Sequence, residues 1–339
     1  MTIDYALIWA GLIAFAVIAY VCLDGFDLGV GILFPFAKNE VQRDEMMNSV
    51  APVWDGNETW LVLGGGGLFA VFPLAYSIIM PALYAPFFIM LLALVFRGVA
   101  FEFRWKSINR QYLWDWAFAG GSIVATFAQG MALGGLVQGI PVTGRAYSGG
   151  WWDWLSPFSL LTGCALLIGY TLLGSTWLIL KAEGAVQEMA YRFARIAAVL
   201  MLIMIGVVSL WTPLLHEHFA AKWFAWPALL YVVPVPVLVL LCAIMLFRGL
   251  SKQHQLTPFV AAQCLFVLSY IGLGISFYPY IVPSSVTLWA AAAPDNSLKF
   301  LLVGAVFLIP IILSYTIYSY WVFRGKVGKT SAYHGEVTN

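Results

Sequence analysis

The chain has 339 residues, 62% of them hydrophobic and 10% charged, with a net charge of +1. A water-facing domain carries about 25% charged residues and could not hide this much apolar surface. The surrounding solvent is therefore a bilayer, and the composition predicts an all-α integral membrane protein with no nucleic-acid partner.

A helix rising about 1.5 Å per residue needs about 20 apolar residues to cross about 30 Å of hydrocarbon. In chain order nine stretches qualify: Leu7–Phe34, Gly56–Phe72, Leu74–Phe96, Trp116–Leu136, Phe158–Leu180, Phe193–Pro213, Pro227–Phe247, Phe259–Tyr280 and Phe300–Phe323. Only Phe72-Pro73-Leu74 separates the second from the third, so these two could instead be one broken span.

Lysine and arginine decide between the two arrangements. With nine helices and the N-terminus outside, the inside segments hold fourteen of the seventeen basic residues; Arg145, Lys222 and Lys299 fall outside. Merging spans two and three destroys that bias, so the positive-inside rule predicts nine transmembrane helices, N-terminus periplasmic and C-terminus cytoplasmic. Met1–Tyr5 carries Asp4 and no basic residue, unlike the start of a cleavable signal peptide, so the first span is expected to stay. One membrane-embedded domain is expected over residues 1–325, followed by a short cytoplasmic tail, 326–339.

Three spans run into the same tripeptide, Phe96-Arg97-Gly98, Phe247-Arg248-Gly249 and Phe323-Arg324-Gly325, each read as an inner helix end. The cysteines Cys22, Cys164, Cys242 and Cys264 all lie in spans without a Cys-x-x-Cys pair, as small buried residues do. The histidines His216, His218, His254 and His334 all lie outside the spans, so the hydrocarbon offers no imidazole to a haem. No metal site is expected in this chain.

Polar groups at membrane depth are expensive, so each is a candidate for function. The first cluster is Asp24-Gly25-Phe26-Asp27-Leu28-Gly29-Val30-Gly31, whose acids share a helix face near the inner boundary. Its glycines call for close approach of a neighbouring helix or a cofactor. The second is Trp54-Asp55-Gly56-Asn57-Glu58-Thr59-Trp60, at the inner start of span two. Asp and Asn cap helix starts and Trp anchors interfaces, so a structural reading stands beside a proton-conducting or site-lining one. Gly64–Gly67 follows, and four glycines in a helix imply something close to that backbone. Arg97, at the end of span three, wants an acid, with Asp27 and Asp115 as the candidates.

These two clusters, together with Phe96-Arg97-Gly98-Val99-Ala100-Phe101-Glu102-Phe103-Arg104 and Tyr278-Pro279-Tyr280-Ile281-Val282-Pro283-Ser284-Ser285, resemble subunit II of the cytochrome bd quinol oxidases. The resemblance runs in order from the first span to the last. It implies a subunit of a bacterial inner-membrane quinol oxidase, paired with a larger subunit I that carries haem b, haem d and the quinol site. It leaves room for a small third subunit, for ubiquinone or menaquinone, and for bound membrane lipid. The membrane domain is expected as two four-helix bundles plus one peripheral helix.

By the same resemblance, Asp55 matches the acid at the mouth of a proton path from the cytoplasm, with Trp54, Asn57 and Glu58 beside it. Trp60 matches a tryptophan near an oxygen route. Asp24, Asp27, Arg97 and Asp115 are expected to stabilise the haems across the subunit interface. Glu58 stands where some members have Gln, and Ala290 follows Trp289 where an acid is common.

Without the family, a proton-coupled transporter is the leading alternative, since Pro81, Pro86, Pro234 and Pro236 could break spans three and seven. A haem-free anchor for another quinone-linked dehydrogenase is a third reading.

Overall fold

The computed structural model describes residues 3–215, 217–224, 226–227 and 229–327. His216, His334 and the tail from residue 328 lie outside the described residues, as does the side chain of His218.

Caps and prolines set where the helices start. Helix α1 (Tyr5–Leu33) begins behind Asp4, whose carboxylate accepts the Leu7 N–H at 2.9 Å. A short helix at the other end, α2 (Glu40–Val50), begins behind Asn39 in the same way. Helix α3 (Trp54–Val71) then runs back along α1. Asn57 reaches Asp27, Gly64 faces Val17, Gly67 faces Ile13, and Val71 packs with Ala6 and Trp9. It lies antiparallel to α1 along most of that helix.

At Pro73 the chain turns through 120° into α4 (Pro73–Ala82). Pro81 closes that helix, and α5 (Tyr84–Lys106) starts afresh. The remaining helices are α6 (Gln111–Val137), α7 (Pro157–Lys181), α8 (Gly184–Leu215), α9 (Glu217–Phe224), α10 (Leu229–Val232), α11 (Pro234–Ser251), α12 (Leu256–Phe277), α13 (Leu288–Ala291) and α14 (Asp295–Val322). Two small antiparallel hairpins, β1 (Val142–Thr143) with β2 (Ala146–Tyr147) and β3 (Tyr280–Val282) with β4 (Val286–Thr287), pack with α4 at one end. Among the described residues eight spans are long and apolar enough to cross a bilayer alone, α10 and α11 counting as one, and α3 with α4, bent by 120° to each other, qualifies only as a pair, which brings the count to nine at most.

The third span departs from expectation. Pro73 and Pro81 confine residues 73–82 to α4, so the crossing slides from Leu74–Phe96 to Tyr84–Lys106. Phe96-Arg97-Gly98 therefore lies inside a helix, not at its end. Arg248 does sit in the last turn of α11, and Arg324 lies just past α14. Span seven is interrupted at Val233, where Pro234 opens α11.

Helix α1 is the hub, packed on α3, α6, α7 and α12. A Cβ added to Gly29 would lie 1.9 Å from the Tyr170 carbonyl oxygen, and one on Gly174 2.2 Å from the Gly29 carbonyl carbon. The close approach expected at these glycines is thus made by a helix, α7. In the Gly64–Gly67 run, Gly64 and Gly67 meet α1, while Gly65 and Gly66 face open space. The cysteines are free: Cys22 and Cys242 are half-buried against the core, Cys264 is half-buried, and Cys164 is exposed, a correction to its expected burial.

Helix α14 is the most exposed span. Its ends are tied down. Trp9 Nε1 donates to the Leu298 carbonyl at 3.0 Å, and at the other end Lys181 Nζ donates to the Phe323 and Gly325 carbonyls.

Candidate functional site

Three helices bring the first two sequence clusters together. Asp24 and Asp27 come from α1, Asn57 and Glu58 from the first turns of α3, and Arg97 from the middle of α5. Arg97 Nη1 donates to Asp24 Oδ1 at 2.7 Å, both side chains being wholly buried. Its Nη2 donates to Glu58 Oε2 at 3.2 Å, and the Glu58 side chain is 25% exposed. Asn57 Nδ2 donates to Asp27 Oδ2 at 2.7 Å, while its carbonyl accepts from the Tyr320 hydroxyl at 2.9 Å. The expected partners of Arg97 are therefore corrected. Asp27 is held by Asn57, Asp115 lies elsewhere, and Asp24 and Glu58 take the guanidinium.

The cluster is rich in acid and incompletely bonded. Three carboxyl groups, from Asp24, Asp27 and Glu58, face one guanidinium. Among the described residues, Asp27 Oδ1 and Arg97 Nε are buried without a hydrogen-bond partner, and Tyr20 lies beside Asp24. Buried polar atoms are ordinarily paired, so unpaired ones beside three acids set this cluster apart from ordinary helix packing.

Trp54 roofs the cluster, stacked on Phe101 at 4.7 Å with the Arg97 guanidinium 5.9 Å from its ring centroid. Trp60, one and a half turns further along α3, is buried against Ala16 and Tyr20, edge-on to Phe15 at 5.6 Å.

Asp55 is exposed in the first turn of α3. The N-cap of that helix is Val53, with no side-chain capping bond, so neither Asp55 nor the inward-turned Asn57 caps it, although Asp55 keeps the first-turn position where the helix dipole favours an acid. Exposure thus falls step by step from Asp55 to Glu58 to Asp24 and Arg97.

Asp115 belongs to a second cluster that sequence reasoning missed. Arg104, fully buried on α5, donates to Asp115 Oδ1 at 2.6 Å, Asp44 Oδ1 at 2.6 Å and Glu40 Oε2 at 2.8 Å. Arg43 pairs with Glu40 and lies 3.6 Å from Asp115 Oδ2. The network clips α2 to the ends of α5 and α6. Its signal was present in the spacing: Arg104 is two turns beyond Arg97 on one face, and Glu40 and Asp44 are four apart. Tyr20 and Tyr320 were missed for a different reason, since single tyrosines in apolar spans look like ordinary core.

No metal-holding group of His, Cys, Asp and Glu occurs among the described residues. His254 is exposed on the α11–α12 turn, and no span contains a histidine. No span therefore offers a haem an imidazole ligand.

A family profile described as "Cytochrome bd terminal oxidase subunit II" matches residues 5–323. The chain is 30% identical to the Escherichia coli K12 protein named cytochrome bd-I ubiquinol oxidase subunit 2, over 96% of this chain and 97% of that one. It is 30% identical to the cytochrome bd ubiquinol oxidase subunit 2 of Bacillus subtilis 168, over 94% and 96% of the two chains. Its fold is similar to a chain of the bd oxidase structure from Geobacillus thermodenitrificans, with a TM-score of 0.76 and 17% identity, covering 94% of this chain and 99% of that one.

Proposed function

The chain belongs to the cytochrome bd terminal oxidase subunit II family, and from that footing we propose that it admits protons from the cytoplasm and steadies a haem-bearing subunit I. The family is one of inner-membrane quinol oxidases, so the chain is a subunit of an oxidoreductase. The complex oxidises a quinol and reduces dioxygen to water. Haems b and d and the quinol site reside in subunit I, and the protons for water are drawn from the basic end of this subunit. That end faces the cytoplasm in this reading, supported by the Lys and Arg gathered there, among them Lys38, Lys106, Arg110, Arg248 and Lys252, against Arg145, Lys222 and Lys299 at the other.

One observation carries the proton assignment. Glu58 is part exposed and part of the buried ion cluster, three residues from the exposed Asp55 on the same helix face. A carboxylate at the surface can be protonated by water and can hand the proton inward. Glu58 provides the next carboxylate, and the buried carboxyls of Asp24 and Asp27 provide acceptors beyond it. Arg97 keeps the relay from accumulating negative charge in a dry site.

Asp24, Asp27 and Arg97 together, and Asp115 through Arg104, fix the helices presented to subunit I, while buried Trp60 lines the oxygen route. Purification of the chain with its partner tests the whole reading. Haem b and haem d absorption and quinol-dependent oxygen uptake are expected; a colourless complex that moves solute would contradict it.

A further inference from the structure

Two arginines on α8 form no ion pair among the described residues. Arg192 and Arg195 stand three residues apart and share a helix face. Among the described residues neither lies within ion-pair distance of a carboxylate. With Glu188, Tyr191, Ile196 and Gln253 they line an open depression of about 370 Å³ at the basic end of the molecule. The lining carries one acid, Glu188, against two guanidinium groups. Lys252, beside Gln253, and Arg248, in the last turn of α11, add exposed positive charge at this end.

The depression is built from fixed parts. The Tyr191 hydroxyl donates to the Gln253 carbonyl at 2.8 Å and to the His254 carbonyl at 3.3 Å. Arg195 Nη2 reaches the Leu250 carbonyl at 3.5 Å. Gln253 takes a left-handed φ of 54°, and the His254 N–H returns to the Gly249 carbonyl at 2.9 Å. That closure of α11 seats the Gln253 side chain beside the arginines.

Toward the membrane, the same face of α8 exposes Ile196 at 54%, Val199 at 47% and Ile203 at 50%. The spacing makes one apolar stripe leading from the arginines into the hydrocarbon. A guanidinium matches a phosphate in shape and charge, and basic pockets between helices at this level suit phospholipid headgroups. We propose that Arg192 and Arg195 hold the phosphate of an anionic phospholipid whose acyl chain lies along Ile196, Val199 and Ile203. Free phosphate would use the arginines and leave the stripe unused.

The test is native mass spectrometry of the intact oxidase complex, extracted from nanodiscs containing phosphatidylglycerol and phosphatidylcholine. The wild-type complex should retain one more phosphatidylglycerol than the Arg192→Gln, Arg195→Gln double variant. Each single variant should weaken retention about fivefold, as expected for one basic residue at a membrane surface. Lys106→Gln with Arg110→Gln, on the turn between α5 and α6, should retain the wild-type number. Val199→Asn should lower retention with both arginines intact, and excess inorganic phosphate should not displace the lipid.

Equal lipid counts in all variants, or equal retention of phosphatidylcholine, would overturn the proposal. Displacement by inorganic phosphate would overturn it in favour of a soluble phosphate site. Should the double variant fail to assemble, the single variants decide.

Discussion

Arg97 and Asp24 meet at 2.7 Å deep inside the protein, each about 14 Å of helical rise from the basic end of its own helix. Neither touches bulk water. An ion pair so placed holds α1 to α5 and also sets the charge of the site, because two further carboxyl groups share its surroundings.

Arg97→Ala should therefore harm assembly more than turnover. Removing one partner of a buried pair costs about 3–5 kcal/mol, since the remaining charge is left uncompensated. Haem content of the purified complex should drop, while turnover per remaining haem stays closer to normal. Adding Asp24→Asn should recover part of the lost assembly. Full haem content in Arg97→Ala would show that the pair contributes little.

The network around Arg104 makes a graded prediction. Arg104→Gln leaves Asp115, Asp44 and Glu40 facing one another and should cost about 3 kcal/mol. Glu40→Gln removes a half-exposed partner and should cost under about 1 kcal/mol. The thermal midpoint of the complex should fall clearly in the first variant and barely in the second. Equal shifts would mean that α2 is not clipped through Arg104.

Gly29 and Gly120 should respond in opposite directions. Gly29→Val places atoms onto the Tyr170 backbone and should abolish assembly. Gly120 lies within α6 with nothing within 4 Å of an added Cβ, so Gly120→Ala should stabilise by about 0.5–1 kcal/mol. Chemical denaturation of the two variants checks both signs.

The chain expressed without its partner should show no visible haem bands, because its spans contain no histidine. Stoichiometric haem in the isolated chain would point to ligation by another side chain, a methionine first.

Much of this was legible in the sequence. Apolar length located the eight long spans, the third with shifted bounds, and the acids at positions 24, 27 and 58, read with their glycines, marked the cluster. What failed was depth. Hydropathy alone cannot see that Pro73 and Pro81 turn residues 73–82 aside, so Arg97 was set at a helix end instead of inside one. Partner choice failed for the same reason. Which acid meets Arg97 depends on the rotation of three helices about their axes, and spacing within one helix does not fix that. The capping reading of Asp55 and Asn57 misjudged where α3 begins; that helix starts behind Val53 and turns Asn57 inward.

The central claim is that Asp55 and Glu58 form the proton entrance, and the Asp55→Asn, Glu58→Gln double variant tests it with almost no change of shape. Proton uptake from the cytoplasmic face should be measured during oxygen reduction by the haem-loaded complex, with Asp55→Asn alone alongside. The account predicts normal haem content with slowed oxygen reduction and impaired uptake, more severe in the double variant than in the single one. Unimpaired quinol oxidation and proton uptake by the assembled double variant would contradict it.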